Sequence, residues 1–345
     1  MDGVRRTVTY PPPPKIAPPA EMGARPFWSV MIPTYNRTAH LEVTLRSVLS
    51  QAPGAEEMQI EVVDNASDVD DPEPLVRRVG GDRVSFVRQP RNIGALANWN
   101  SCIERSQGEW VHVLHSDDVV YPGFYARFKV ALEGRNDVGA AFCRHVTIDA
   151  NDRRLGTSEL ESPTAGILPG FIEKIGVASI IQCASIVARR SVYEQLGGFR
   201  TDYSAADWEM WIRIAAHYPI WFEPEILAAW RLHSSSLSTV NMKSAVNVAD
   251  ARRCIEISYP LLPADRADTI SGKAREWLSV AALGCAMDAL GKYEFTAALK
   301  HVRAGLECGI SPGLVKALLL LPFRIARGGI RRIYALGKGD TRWTS

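Results

Sequence analysis

The sequence predicts an α/β fold: a doubly wound, mostly parallel sheet with helices covering both faces. Two observations carry that prediction. Short runs of β-branched and aromatic residues alternate with longer runs whose apolar residues recur at helical spacing. Each of the first four strand-like runs also ends in small polar or acidic residues, the composition expected of loops at the carboxyl edge of such a sheet.

The elements follow in order. Residues 1–26 hold Pro11 to Pro14 in a row, then Pro18 and Pro19, with few large apolar groups, and read as a flexible or polyproline-like lead. The fold begins near Phe27. Trp28 to Ile32 is a strand, Leu41, Leu45, Val48 and Leu49 share a helical face, and Ile60 to Val63 is the second strand. Val84 to Val87 gives the third, Leu96, Trp99 and Ile103 a second helical face, and Trp110 to Leu114 the fourth. Strand, helix, strand in this rhythm means parallel strands joined by crossover helices.

Beyond Gly139 the pattern loosens. Ala184 to Val187 reads as a further strand, and Trp208, Trp211, Ile212 and Ala215 as a helical face, completing one domain over residues 27–240. Residues 241–345 read as a helical extension, with helices across Ile270 to Leu290 and Phe295 to Leu306 and a basic amphipathic end from Leu314 to Leu336. There is no internal repeat.

Bulk properties set limits. With 46% hydrophobic residues among 345, the chain has ample material for a packed core. Forty basic against 38 acidic residues leave no excess charge that would mark nucleic acid as the main partner. No apolar run is long enough to span a bilayer and no signal-like apolar segment follows Arg5 and Arg6, so a cytoplasmic setting is expected. The six cysteines stand far apart with no C-x-x-C pair, which argues against zinc and suits a reducing compartment.

The chemistry concentrates at the strand ends. The first strand runs into Pro33-Thr-Tyr-Asn-Arg37, the second into Asp64-Asn-Ala-Ser-Asp68, the third into Arg91-Asn-Ile-Gly94 and the fourth into His115-Ser-Asp-Asp118. Any one of these could be ordinary turn chemistry. Four in succession mark the edge where a nucleotide would lie, with Arg37, Asn92, Gly94 and Ser116 among its candidate contacts. The paired Asp117 and Asp118 after an apolar strand form a hard oxygen site suited to Mg²⁺ or Mn²⁺, although one of them could instead cap the helix that follows Pro122.

The chain resembles the family 2 glycosyltransferases of the GT-A fold. The resemblance rests on Val30-Met-Ile-Pro-Thr-Tyr-Asn-Arg37, Val62-Val-Asp-Asn-Ala-Ser-Asp68, Arg91-Asn-Ile-Gly94 and Leu114-His-Ser-Asp-Asp118. It continues through Leu196-Gly-Gly-Phe199, Ala206-Asp207-Trp-Glu-Met-Trp211 and Trp230-Arg-Leu-His233, in the family's order and spacing. The resemblance implies that Pro33, Thr34 and Tyr35 line a nucleotide pocket and that Asp64 or Asn65 reaches the base. It places Asp117 on the metal-binding aspartate of the D-x-D motif, Asp207 on the catalytic base, and His233 where a later loop meets the diphosphate or the metal. One departure stands out: the first aspartate of D-x-D is His115 here, an imidazole that can still ligate or hydrogen-bond.

The activity this implies is inverting transfer of a hexosyl or deoxyhexosyl group from a nucleoside diphosphate, UDP or dTDP favoured, to an acceptor hydroxyl. A divalent metal at Asp117, with Asp118 and His233 as further candidate ligands, absorbs the leaving-group charge, and Asp207 takes the proton. Asp207 has an alternative reading as a plain N-cap, and Glu209 is the reserve base. Trp208, as a candidate stacking partner for a sugar, and Arg231, near His233, are reserve site residues; Trp211 reads as core. A glycan or lipid-linked glycan is the expected acceptor, as in bacterial surface polysaccharide or glycolipid assembly.

Competing functions are a non-catalytic nucleotide-sugar binder, suggested by His115, and a nucleotidyltransferase, which would want a Gly-rich basic loop where Pro33-Thr-Tyr-Asn-Arg37 stands. For the C-terminal segment two readings stand: a peripheral helix on the inner membrane face, with arginines over anionic lipid, or a packing helix with a solvated basic face.

Overall fold

A computed structural model of the chain describes residues 10–19, 25–234, 236–310, 312 and 314–315. The strand and helix order begins β1 (Trp28–Thr34), α1 (Thr38–Leu49), β2 (Met58–Asp64), α2 (Glu73–Gly80), β3 (Ser85–Arg88), α3 (Ala95–Arg105), β4 (Trp110–Val113), β5 (Val119–Val120) and α4 (Phe124–Leu132). It continues β6 (Ala140–Ile148), β7 (Arg154–Thr157), β8 (Gly166–Ile167), α5 (Phe171–Ile175), β9 (Ile186–Arg189), α6 (Arg190–Leu196), α7 (Ala206–His217) and β10 (Ile220–Arg231). Four helices close it: α8 (Leu237–Ser244), α9 (Val246–Ser258), α10 (Ala267–Gly291) and α11 (Phe295–Glu307).

The strands form a mixed, mostly parallel sheet in the order β3-β2-β1-β4-β9-β6-β10-β5, with β7 beside β6 and β8 beside β10. The first four are parallel, as the sequence rhythm predicts; β9 then runs antiparallel to both β4 and β6. From β1 the chain winds outward to β2 and β3, then returns to β4 on the other side of β1. That reversal between β1 and β4 is a topological switch point, where the loops leaving the carboxyl ends part and open a crevice. The site lies there.

Alternation along β1 shows why both faces are covered. Val30 and Ile32 enter one apolar layer with Leu41, Leu45 and Val48 of α1, while Met31 enters the other with Leu96 and Ile103 of α3. All are essentially inaccessible, and each such side chain contributes roughly 1.5–3 kcal/mol by burial. The bends of β10 fall between Glu223 and Ala228, around Pro224, which cannot donate to the ladder.

Two expectations change. The strand read as Ala184 to Val187 starts at Ile186, because Cys183–Ser185 form a 3₁₀ turn beneath the crevice. Residues 10–19 are not a free lead: Ile16 is buried in the core, the Pro14 carbonyl accepts from Gly198 N at 2.8 Å, and Tyr10 donates to Glu256 at 3.0 Å. Proline makes this docking cheap, since its backbone is already extended and its carbonyls remain free to accept. The C-terminal helices share an apolar core with α7, where Val248, Ile255, Ile270, Leu278 and Ala282 pack with Trp208 and Trp211. No helix among the described residues is long and apolar enough to cross a membrane. The basic segment from residue 316 onward lies outside the described residues.

Candidate active site

The loops after β1 and β2 are tied to each other. Asn36, at φ 50°, turns the chain, and its side-chain oxygen accepts from the backbone of Asp68 and Val69, both at 3.0 Å. Asp64, fully buried, accepts from Arg88 Nε at 2.7 Å and from Ser67, so its carboxylate shapes the loop instead of lining the crevice. Its neighbour Asn65 does line it. The Asn65 amide donates to Asn92 at 2.9 Å and accepts from Ile93 N at 2.9 Å, and Asn92 in turn accepts from Gly94 N. Gly94, at φ 87°, opens α3 there.

Pro33, Thr34, Tyr35, Asn65, Asn92 and Gly94 therefore face one cavity of about 640 Å³, with Arg37, Ser116, Asp117 and Asp118 along its side. The Thr34 hydroxyl is buried there with no hydrogen-bond partner among the described residues.

The acidic turn is held by a helix below and a strand beside it. Thr44 of α1 donates to the carbonyls of Ser116 and Asp118, at 3.0 and 2.7 Å. Arg231, buried at the end of β10, donates its backbone N to Asp118 Oδ1 at 2.9 Å and its Nε to the Asp117 carbonyl at 2.8 Å. Arg231 thus acts as a clamp on the turn while still touching the cavity.

Asp117 Oδ2 lies 2.7 Å from Arg37 Nη1 and 2.9 Å from His233 Nε2. Burial opposes its ionisation, but the His233 hydrogen bond and the nearby His115 ring and Arg37 guanidinium outweigh it and hold the carboxyl below the usual range. Asp118 behaves oppositely: burial, reinforced by the Asp117 anion, pushes its carboxyl well up. His115 stacks on Trp99 at 4.4 Å, and burial lowers its pKa.

The donor set fits a hard divalent ion. Ligand atoms of His115, Asp117 and Asp118 lie within 4.8 Å of one another, and the buried His115 Nε2 has no hydrogen-bond partner among the described residues. One anionic carboxylate, one buried carboxyl and a neutral imidazole together can accept Mn²⁺ or Mg²⁺ that keeps some waters.

Asp207 stands in the first turn of α7 and lines the same cavity. The cap residue of that helix is Ala205, and the Asp207 carboxylate accepts from the next backbone N, of Trp208, at 2.7 Å. It is not the N-cap. Burial raises its pKa to about 6, with the Trp208 N–H opposing. Glu209 faces the other way: almost wholly buried, it pairs with Arg213 at 2.8 and 2.9 Å, and Arg213 also donates to the carbonyl of Gly198 at 2.9 Å. The reserve base is thus outside the cavity, a strut between α7 and the Leu196-Gly-Gly-Phe199 turn. Trp208 lines the cavity and sits in the core, its Nε1 on the Ile175 carbonyl at 2.6 Å; Trp211 is core.

Sequence reading missed two features. His40, which has no ligand-like spacing to another histidine in the sequence, has its ring 5.4 Å from that of His233. Trp277, Ala281 and Cys285 of α10 form a cavity wall, and their spacing of four residues was the available signal.

The fold and this site define a glycosyltransferase of the GT-A type. The chain belongs to glycosyl transferase family 2, whose family model matches residues 29–197. It is 30% identical over 257 residues to the uncharacterized protein MT1568 of Mycobacterium tuberculosis, covering 70% of this chain and 78% of the relative. Over 96 residues it is 35% identical to the putative teichuronic acid biosynthesis glycosyltransferase TuaG of Bacillus subtilis, covering 27% of this chain and 37% of that one.

Among solved structures, the mannosyltransferase PcManGT of Pyrobaculum calidifontis, in complex with GDP-Man and Mn²⁺, superposes with TM-score 0.58 at 20% identity, covering 94% of this chain and 86% of that one. Staphylococcus aureus TarS 1-349 in complex with UDP-GlcNAc gives 0.59 at 14%, covering 83% and 95%. These two likenesses concern the fold.

Proposed function

We propose that the chain transfers a hexosyl or deoxyhexosyl group, with inversion, from a nucleoside diphosphate donor to an acceptor hydroxyl. The observation that carries this is the pairing in one cavity of an anionic turn at Asp117 with a carboxyl at Asp207 whose pKa is raised to about 6. A base poised near neutral pH is matched to removing a proton from a hydroxyl as it becomes a nucleophile.

In this reading Pro33, Thr34, Tyr35, Asn65, Asn92 and Gly94 hold the nucleoside, and Ser116 flanks the diphosphate. Arg37 and His233 turn from Asp117 to the phosphate oxygens, where donors aimed at developing charge favour departure. The acceptor oxygen bonds to the anomeric carbon, its proton passes to Asp207, and the sugar–phosphate bond breaks with its electron pair on the diphosphate. A Mn²⁺ or Mg²⁺ ion held by Asp117, with His115, Asp118 or His233 beside it, would supply further neutralisation of that charge.

UDP- or dTDP-sugars are the favoured donors, since the Asn65 amide can pair with a pyrimidine edge. Assembly of a surface polysaccharide or glycolipid is supported by the likeness to TuaG. A screen of nucleotide sugars for release of nucleoside diphosphate, with and without Mn²⁺, tests the reading; no release from any donor would overturn it.

We also propose peripheral docking on an anionic membrane face through the arginines between Leu314 and Leu336. This rests on sequence alone. Flotation with anionic liposomes, full chain against a truncation after Pro312, tests it; equal recovery in the soluble fraction would reject it.

A further inference from the structure

The cavity continues past Asp207. Between α7, α9 and α10 its wall is Trp208, Val248, Ala251, Trp277, Leu278 and Ala282, an apolar surface unlike the amides and charges at the strand ends. Trp277, Ala281 and Cys285 recur every four residues, so a single stripe of α10 faces this chamber. Trp277 remains 40% exposed although its ring meets that of Trp208 edge-on at 6.0 Å. A large aromatic left partly open at the rim of an apolar chamber is suited to covering a ligand's hydrocarbon or ring face.

One polar atom stands out among these groups. The side-chain oxygen of Asn247, which lines the same cavity, is buried and has no hydrogen-bond partner among the described residues. A buried acceptor without a donor is unfavourable unless a ligand or an ordered water supplies the hydrogen.

We infer that this chamber is the acceptor subsite, and that the acceptor carries its reacting hydroxyl beside an apolar face, a hydrocarbon or aromatic aglycone. Asn247 accepts a hydrogen bond from a second hydroxyl and so orients the first toward Asp207. The inference rests on the reading of Asp207 as the base, because that reading requires an acceptor hydroxyl at this point of the cavity. The C-terminal helices thereby join the site directly, since α9 and α10 build the half of it that the sheet edge does not supply.

Calorimetry of the full chain with methyl, butyl and phenyl glycosides, in the presence of its preferred nucleoside diphosphate, tests the subsite without turnover. Butyl or phenyl glycosides should bind more than about tenfold tighter than methyl, as expected for burying several apolar carbons. Butyl ahead of phenyl assigns a hydrocarbon acceptor, phenyl ahead of butyl an aromatic one. Equal affinity for all three overturns the subsite.

Ala281→Phe, which fills the chamber, and Trp277→Ala, which removes its cover, should each abolish the preference while nucleoside diphosphate affinity stays unchanged. Retention of the preference in both also overturns it. Strong binding of butyl or phenyl glycosides without any transfer keeps the subsite and removes the role given to Asp207. Transfer with no preference among the glycosides does the reverse.

Discussion

Asp117 Oδ2 stands 2.9 Å from His233 Nε2, and Arg37 Nη1 lies 2.7 Å from each of them. Three separate loops, after β1, β4 and β10, therefore converge on one carboxylate. Asp117 there balances the charge of the Arg37 guanidinium. In the proposed reaction the leaving diphosphate would give Arg37 a second anion to address.

Replacing Asp117 by Ala should reduce transfer more than about 100-fold, as expected from losing an electrostatic anchor of the leaving group. The fold should persist, because Arg37 and His233 both retain some solvent access and can be rehydrated. Nucleoside diphosphate release with thermal melting as the control measures both. A chelator should likewise silence the unmodified enzyme; an Asp117→Ala variant at full rate in chelator would remove both Asp117 and the metal from the account.

Asp207→Asn keeps the shape of the first turn of α7 but cannot take a proton, so turnover should fall about 10²- to 10⁴-fold with donor affinity retained. The unmodified enzyme's kcat should rise with pH through about 6, because the base must be ionised to act. Stability should move the other way. Since the folded-state pKa is raised, the stability Asp207 contributes is complete below about pH 4 and is lost as pH rises through about 6. Asp207→Asn removes that loss and should stabilise the protein by on the order of 3 kcal/mol at about pH 8, with little effect at about pH 4. Denaturant melts at the two pH values check the sign, and a variant with a near-normal rate would show that another group is the base.

How much of this was legible in the sequence depends on which residues are asked about. The strands of the first half were readable because they follow local rules of periodicity and because Pro33-Thr-Tyr and His115-Ser-Asp-Asp sit where parallel strands must end. The antiparallel β9 was only half readable, since the 3₁₀ turn at Cys183 is imposed by packing under the crevice. Asp64 and Asn65 are equivalent in sequence, but the strand's alternation sends one side chain to Arg88 and the other to Asn92. The spacing of Trp277, Ala281 and Cys285 marks one face of α10, but what that face meets, like the seat of the docked proline segment, depends on partners far away in the chain, as Trp208 with Trp277 and Pro14 with Gly198.

Glu209 separates a strut from a base. Glu209→Gln leaves Arg213 almost wholly buried without its anion, and breaking such a pair by altering one member costs about 3–5 kcal/mol. The variant should melt at markedly lower temperature, yet the fraction that remains folded should keep the pH dependence of kcat set by Asp207. If Glu209→Gln instead preserved the melting temperature and flattened the pH profile, the two acidic residues would exchange roles.

The docked proline segment can be tested through one glycine. Gly197 ends α6 with φ 84°, a backbone region that costs a residue with a Cβ of order 1–3 kcal/mol. A Cβ placed there would also meet the Pro14 carbonyl oxygen at 2.8 Å and Pro13 Cγ at 3.1 Å, so the strain falls on the contact that holds residues 10–19 in place. Gly197→Ala should lower stability and, more specifically, speed trypsin cleavage after the exposed Lys15, whose neighbour Ile16 is anchored in the core. Gly81→Ala is the matching control: φ is positive there too, at 51°, but nothing lies within 4 Å of the added carbon. Both variants should lose stability, and only Gly197→Ala should open the Lys15 site. Equal cleavage rates in the two would mean that the proline segment gains its hold elsewhere, through Tyr10 and Glu256 or through the burial of Ile16.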